Sequence, residues 1–161
     1  MTGTKEELWK LVGKFNVALL VTHTANGSLR GRPLAIQRHE SDQSLWLATS
    51  DKSDKVRDLL GNADCAVICH DGEASPTYVS MSGLATVVRD RTKVRELWSP
   101  AWKLWFPEGP EEEDIVLIHF EPTHAEYASP EAGKLGVMVS AVKRLITKEH
   151  PPKGEKSEVD V

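Results

Sequence analysis

Cysteine is scarce in this chain, and the little there is cannot build a disulfide framework. Only Cys65 and Cys69 occur among 161 residues. They lie in a segment that reads as a strand, where four extended steps hold them about 13 Å apart, beyond disulfide reach. Both are expected as buried free thiols. A metal would need further ligands nearby, and His70, on the opposite strand face from Cys69, does not supply them. The six histidines, His23, His39, His70, His119, His124 and His150, show no ligand or triad spacing. No apolar run approaches the roughly 20 residues of a membrane-spanning helix, and residues 1–10 lack the hydrophobic stretch of a secretion signal. A cytoplasmic protein with no membrane partner is therefore expected. Excess positive charge is missing too. Lys and Arg number 20 against 24 Asp and Glu, a formal charge of −4, with the signs interspersed, which argues against nucleic acid as a partner. Also absent is a strand, Gly-rich turn and helix in succession, the signature of a dinucleotide-binding parallel sheet.

What remains is a succession of short strands. Thr4 and Glu7 fit a capping box ahead of Leu8, Leu11, Val12 and Phe15 at helical spacing, so an amphipathic helix opens the chain. Strands are expected over 17–22 and 29–37, joined at Asn26-Gly27 as a two-residue hairpin turn, and over 44–49. Ser53 can cap a helix through 60 that faces Val56, Leu59 and Leu60 inward. Strands at 65–70 and 77–88 follow, then a helical insertion over 92–106 that Ser99-Pro100 divides. The acidic loop 108–114 reads as solvated. A sixth strand over 115–121 ends before Pro122, and 126–128 can form a short seventh. Many short strands with few helices favour a closed or nearly closed antiparallel barrel, in one domain over residues 1–150. The charged stretch 151–161 is expected to lack regular structure.

One cluster suits an anion. Gly31-Arg32-Pro33-Leu34 lies on the second strand, Thr49 and Ser50 end the third, and Ser53-Asp54-Lys55 enters a helix. A phosphate wants cations, hydroxyl donors and the positive end of a helix dipole, and these segments offer all three if they converge. Taken singly, Arg32 reads as an exposed strand arginine and Lys55 as a solvated helix lysine.

Order and spacing add a resemblance. Gly31-Arg32-Pro33-Leu34, then residues 45–59, then Tyr78-Val79-Ser80-Met81-Ser82-Gly83, then the tryptophan tract 97–107, then Glu121-Pro122 ahead of Ala125-Glu126-Tyr127 follow one another as in a known family. The chain resembles the general-stress-protein branch of the pyridoxamine 5'-phosphate oxidase-like, FMN-binding split β-barrels. That resemblance implies a mainly β split barrel of about six to seven antiparallel strands, a homodimer, and FMN held at the subunit interface. It implies that Arg32 and Lys55 hold the FMN phosphate with Thr49, Ser50 and Ser53 nearby, and that Pro33, Leu34 and Ala35 run along the flavin ring. Where the oxidases proper carry an arginine before the lysine, this chain has Asp54. It also lacks their arginine-rich C-terminal segment, with only Lys143-Arg144 near its end, so pyridoxamine oxidation is not carried over.

Trp98, Trp102 and Trp105 fall at i, i+4 and i+7. They read either as a hydrophobic cover over the barrel or, for Trp102 and Trp105, as an aromatic wall of the flavin pocket. No residue stands out as a catalytic acid or base. The expected function is flavin-dependent electron transfer between a small donor and acceptor, with a non-catalytic FMN-binding or sensing protein, or a barrel that has lost its ligand, as alternatives. A haem-binding variant of the barrel exists in related families, and no histidine here stands in a context that ties to it.

Overall fold

The computed structural model of the chain describes residues 4–39, 43–71, 77–129 and 157–160. Helix α1 (Lys5–Val12) opens with the expected capping box, Thr4 accepting from the Glu7 N–H and Glu7 from the Thr4 N–H. Strands β1 (Val17–His23), β2 (Leu29–His39) and β3 (Ser44–Ser50) lead to α2 (Asp54–Gly61). Then come β4 (Asp64–His70), β5 (Tyr78–Val88), α3 (Arg91–Leu97), a 3-10 helix (Pro100–Leu104), β6 (Ile115–Ala128) and β7 (Ser157–Asp160). The antiparallel order β3-β2-β1-β4-β5-β6-β7 closes through a β3–β6 pairing, which makes a six-stranded barrel. Ring closure leaves none of those six strands with a fully open edge.

Alternation decides what fills it. Ala18, Leu20 and Thr22 of β1, Leu45 and Leu47 of β3, Cys65, Val67 and Cys69 of β4, Val79 and Met81 of β5, and Ile118 and Phe120 of β6 are all buried. Helix α1 adds Leu8, Leu11 and Val12 to the same core. Each fully buried Leu or Phe contributes about 1.5–3 kcal/mol. Both thiols are free and buried. Burial pushes Cys65 up to about 12 and Cys69 up to about 11, so neither is a thiolate near neutral pH. A second core lies on the outer side of β3 and β6, where Val94, Trp102 and Phe106 of the insertion cover Trp46, Ile115 and Leu117.

Several expectations are corrected. Strand β6 does not stop at Pro122. It continues to Ala128, because a bulge beside Gly83 shifts the register from Gly83↔Pro122 to Ser82↔His124, so the ladder does not need the missing proline N–H. The Asn26-Gly27 turn is longer than two residues, with Thr24 bonded to Ser28 across it and Gly27 at φ 83°. Leu60 faces solvent, while Val56 and Leu59 alone carry the apolar face of α2. Within 151–161, residues 157–160 are not irregular: they form β7 along β6 from His124 to Tyr127, a part of β6 that β3 does not reach. A bare strand edge is a strong template for pairing. Residues 151–156, and the Lys143-Arg144 stretch, lie outside the described residues.

Gly83 is where β5 and β6 approach most closely. A Cβ there would sit 2.2 Å from the Glu121 carbonyl oxygen and 2.8 Å from the Pro122 Cα, and both are backbone atoms that cannot swing aside. Gly83→Ala is expected to destabilise the fold by about 1–3 kcal/mol. Urea unfolding would check this, and an unchanged midpoint would mean that the bulge relaxes freely.

Candidate functional site

The site lies where two neighbouring strands part. Strand β2 pairs with β3 only from Ile36 to His39, while residues 48–50 of β3 pair on their other side with β6. A wedge therefore opens between residues 33–35 of β2 and residues 48–50 of β3. The Ile36 N–H donates toward β1, to the Asn16 carbonyl. Alternation along the strand then turns the polar groups of Ala35 and the carbonyl of Pro33 toward the wedge. Proline suits this position because it has no N–H to leave unpaired.

A cleft of about 500 Å³ occupies the wedge, within the usual range for small-molecule sites. Pro33, Leu34, Ala35, Thr49, Ser50, Ser53, Lys55, Trp102 and Trp105 all line it, with Val17, Ala48, Phe106 and Asp114. The structure thus gathers the expected residues at one place, with one exception. Arg32 is not among the lining residues. Its guanidinium faces the barrel interior, donating to Thr22 Oγ1 and to Asp58 Oδ2, each at 2.9 Å. The cause is electrostatic: a cation on an inward strand face needs a countercharge, and Asp58 on α2 supplies it. The Thr22 hydroxyl donates to the same carboxylate oxygen at 2.9 Å.

Lys55 lies one turn before Asp58 on α2, so their side chains share a helix face. Its Nζ donates to Thr49 Oγ1 at 3.2 Å, and Thr49 Oγ1 lies 3.4 Å from Ser53 Oγ. Ser53 is the N-cap of α2, yet its hydroxyl makes no capping bond and stays with Thr49. Desolvation, and then the Arg32 charge, hold the Lys55 pKa below the ordinary lysine value. Arg32 is therefore close enough to act on Lys55 without touching the cleft. Asp54 pairs instead with Arg57 on the exposed side of α2. Among the described residues no carboxylate pairs with Lys55, so this end of the cleft offers an ammonium, two hydroxyls and a helix N-terminus.

The opposite wall is aromatic. Helix α3 ends before Trp98, and Ser99 with Pro100 starts the 3-10 helix, so the three tryptophans do not form one continuous face. Trp102 is 1% exposed and packs edge-on to Trp98, with ring centroids 5.5 Å apart at 74°. Trp105 is 59% exposed at the rim. Trp102 thus belongs both to the second core and to the cleft. Asp114, just ahead of β6, is a cleft residue that the sequence reading left in a solvated acidic run. It accepts a hydrogen bond from the Ser50 hydroxyl, and its carbonyl accepts from the Asp51 N–H at 2.8 Å. The signal that sets it apart from Glu111, Glu112 and Glu113 is its place directly before the apolar run of β6.

Residues 3–152 match the family described as "Pyridoxamine 5'-phosphate oxidase like". The chain belongs to that family. The fold recurs in distant sequences. It is shared with a Clostridium acetobutylicum protein described as related to general stress protein 26 of B. subtilis, at TM-score 0.69 and 18% identity over 79% of this chain and 91% of that one. It is shared with general stress protein 26 of Bacillus anthracis at TM-score 0.67 and 24% identity, over 76% and 92%. Protein bli-3 of Neurospora crassa is 28% identical over 130 residues, which is 75% of this chain and 62% of that protein. This chain therefore spans less than two thirds of that relative. No helix among the described residues is long and apolar enough to cross a membrane.

Proposed function

We propose that this family member binds FMN in the wedge between β2 and β3, at the interface of a homodimer, and passes electrons between a small donor and acceptor. The observation that carries the reading is the polarity of the cleft. Lys55, Thr49 and Ser53 meet at one end, where a phosphate would be held. Between the β2 backbone of Pro33–Ala35 and the Trp102, Trp105 and Phe106 rings lies a slot suited to a flat ring. Among the described residues Arg32 donates to Thr22 and Asp58, and it adds positive charge behind Lys55.

When bound, FMN supplies the redox chemistry. The chain's residues bind the phosphate, flank the ring and shield it from water. Flavin is favoured over haem because, among the described residues, none that lines the cleft is His, Cys, Met or Tyr, the usual axial ligands of haem iron. The test is an absorbance spectrum of the purified protein between roughly 350 and 500 nm after FMN is added and the excess removed. A protein that retains no flavin absorbance would lose this assignment. Steady NAD(P)H oxidation by the holoprotein would separate an oxidoreductase from a protein that only stores or senses flavin.

The homodimer reading rests on the outer face of β1. Val17 and Leu19 stand 55% and 44% exposed, and Val17 also lines the cleft. Apolar side chains that adjoin a half-open cleft suit a cover by a second copy. Light scattering is expected to give twice the chain mass. Leu19→Asp is expected to shift it toward the monomer and to weaken FMN binding with it, while a dimer indifferent to that substitution would place the interface elsewhere.

A further inference from the structure

Exposed apolar side chains are not scattered over this molecule. Among the described residues the large ones that stand open are Val17, Leu19, Leu29, Leu60, Leu84, Leu104 and Trp105, and Leu60 alone lies apart, on α2. Val17 and Leu19 belong to β1, and Trp105 stands at the cleft rim next to Leu104, which is 79% exposed. Leu29 and Leu84, 65% and 47% exposed, line a second hollow of about 520 Å³, together with Val21, His23, Asp64 and Ala66. Strand register joins the two places. Leu19 lies between Pro33 of β2 and Ile68 of β4, and Val21 between Gly31 and Ala66, so an uncharged strip of sheet runs from the cleft to the groove, as the core of an interface requires.

The two hollows sit at opposite corners of that strip. The cleft lies at the start of β1 on its β2 side, where Val17 pairs with Ala35. The groove lies toward the end of β1, mostly on its β4 and β5 side, where Thr22 pairs with Cys65 and Asp64 with Leu84. A twofold dimer turns one copy by 180° onto the other, and an axis through the middle of β1 exchanges the two corners. Each cleft rim then meets the other copy's groove. Val17 and Leu19 by themselves fall well short of the roughly 800 Å² per subunit of a stable interface, so the dimer needs the whole strip.

We infer that the groove of each copy seats the cleft rim of the other, with Leu104 and Trp105 of the partner subunit packed between Leu29 and Leu84. The inference rests on the homodimer reading and deepens it, because every flavin site then needs one copy's cleft and the other copy's groove. Charge agrees with shape. The arriving segment Lys103-Leu104-Trp105 brings an exposed cation, and Asp64 stands exposed at the groove, an arrangement that fixes register as well as partner.

Leu84→Asp and Lys55→Ala, purified singly and after co-expression, test this. Leu84 is half-exposed and far from its own cleft, so Leu84→Asp should keep the wild-type circular dichroism spectrum. It should nevertheless shift toward the monomer by light scattering and bind FMN about tenfold or more weakly, and Leu29→Asp should do the same. Lys55→Ala should stay dimeric and lose FMN at its own cleft. In a mixed dimer the intact cleft of the Leu84→Asp copy faces the intact groove of the Lys55→Ala copy. Co-expression should therefore restore about a quarter to a half of the wild-type flavin sites, one per mixed dimer. A mixture that binds no more FMN than its parts overturns the inference. So do Leu84→Asp and Leu29→Asp proteins that remain dimeric with wild-type affinity, which would leave the groove to a different occupant while Leu19→Asp still decides the dimer. If wild type binds no FMN, the flavin assignment falls, and the masses of the two groove variants still decide whether the groove holds a second copy.

Discussion

Asp58→Ala is expected to cost about 3–5 kcal/mol of folding stability, the largest loss among the single substitutions considered. Asp58 and Arg32 face each other with side chains only 10% and 20% exposed, at 2.9 Å, and Thr22, fully buried, completes the group. Removing the carboxylate strands a guanidinium at the barrel mouth and leaves the Thr22 hydroxyl without its acceptor. A pair of this kind adds little net stability over apolar replacements, yet breaking it on one side is costly. The double variant Arg32→Leu with Asp58→Leu should therefore lose less than Asp58→Ala alone.

The same group has a pH signature. Burial raises the Asp58 pKa, but the hydrogen bonds from Arg32 and Thr22, with the Arg32 charge, outweigh it, so the carboxyl is held below its ordinary value. A carboxyl whose folded pKa is depressed stabilises the fold above its unfolded pKa. That contribution fades as pH falls below about 4. Urea unfolding of wild type and Asp58→Ala at pH 7 and again near pH 3 would show the gap narrowing at the lower pH. A gap under about 1 kcal/mol at pH 7 would mean that water already screens the pair.

Local pattern made much of this legible before any coordinates. The strand ranges of β1 to β5 and the buried free thiols of β4 hold in the structure, and Lys55, Thr49 and Ser53, which motif order singles out, line one cleft. What escaped the sequence depends on partners distant along the chain. Taken singly Arg32 reads as an exposed strand arginine, whereas its guanidinium pairs with Asp58, 26 positions away; a phosphate role for it comes from the family resemblance alone. Pro122 reads as a strand end only if its neighbour needs an N–H, and the bulge at Gly83 removes that need. β7 escaped because its order comes from an open stretch of β6 and not from its own composition. Asp114 is hidden among like charges, since only the folded chain sets it against the cleft while Glu111 and Glu113 stay exposed.

Lys55→Ala is expected to weaken FMN binding thirtyfold or more, about 2–5 kcal/mol, and to weaken riboflavin binding far less. The reasoning turns on what Lys55 lacks. Its ammonium is partly desolvated, it bonds only to Thr49 among the described residues, and the Arg32 charge beside it already disfavours its protonated form. A phosphate arriving there would relieve all three conditions at once, whereas riboflavin brings no charge to do so. Phosphate favours protonated Lys55, so the FMN affinity should be flat through neutral pH. It should then decline on the alkaline side at a lower pH than an ordinary lysine would give, and riboflavin affinity should not follow it. Lys10→Ala serves as the control, since an exposed charge contributes about 0–1 kcal/mol and is screened by salt. Titrating FMN and riboflavin into the wild type, Lys55→Ala and Lys10→Ala across pH would read each of these effects. If Lys55→Ala weakened both ligands equally, Lys55 would be acting on the ring or on the fold, and the phosphate would have to be sought elsewhere along the wedge.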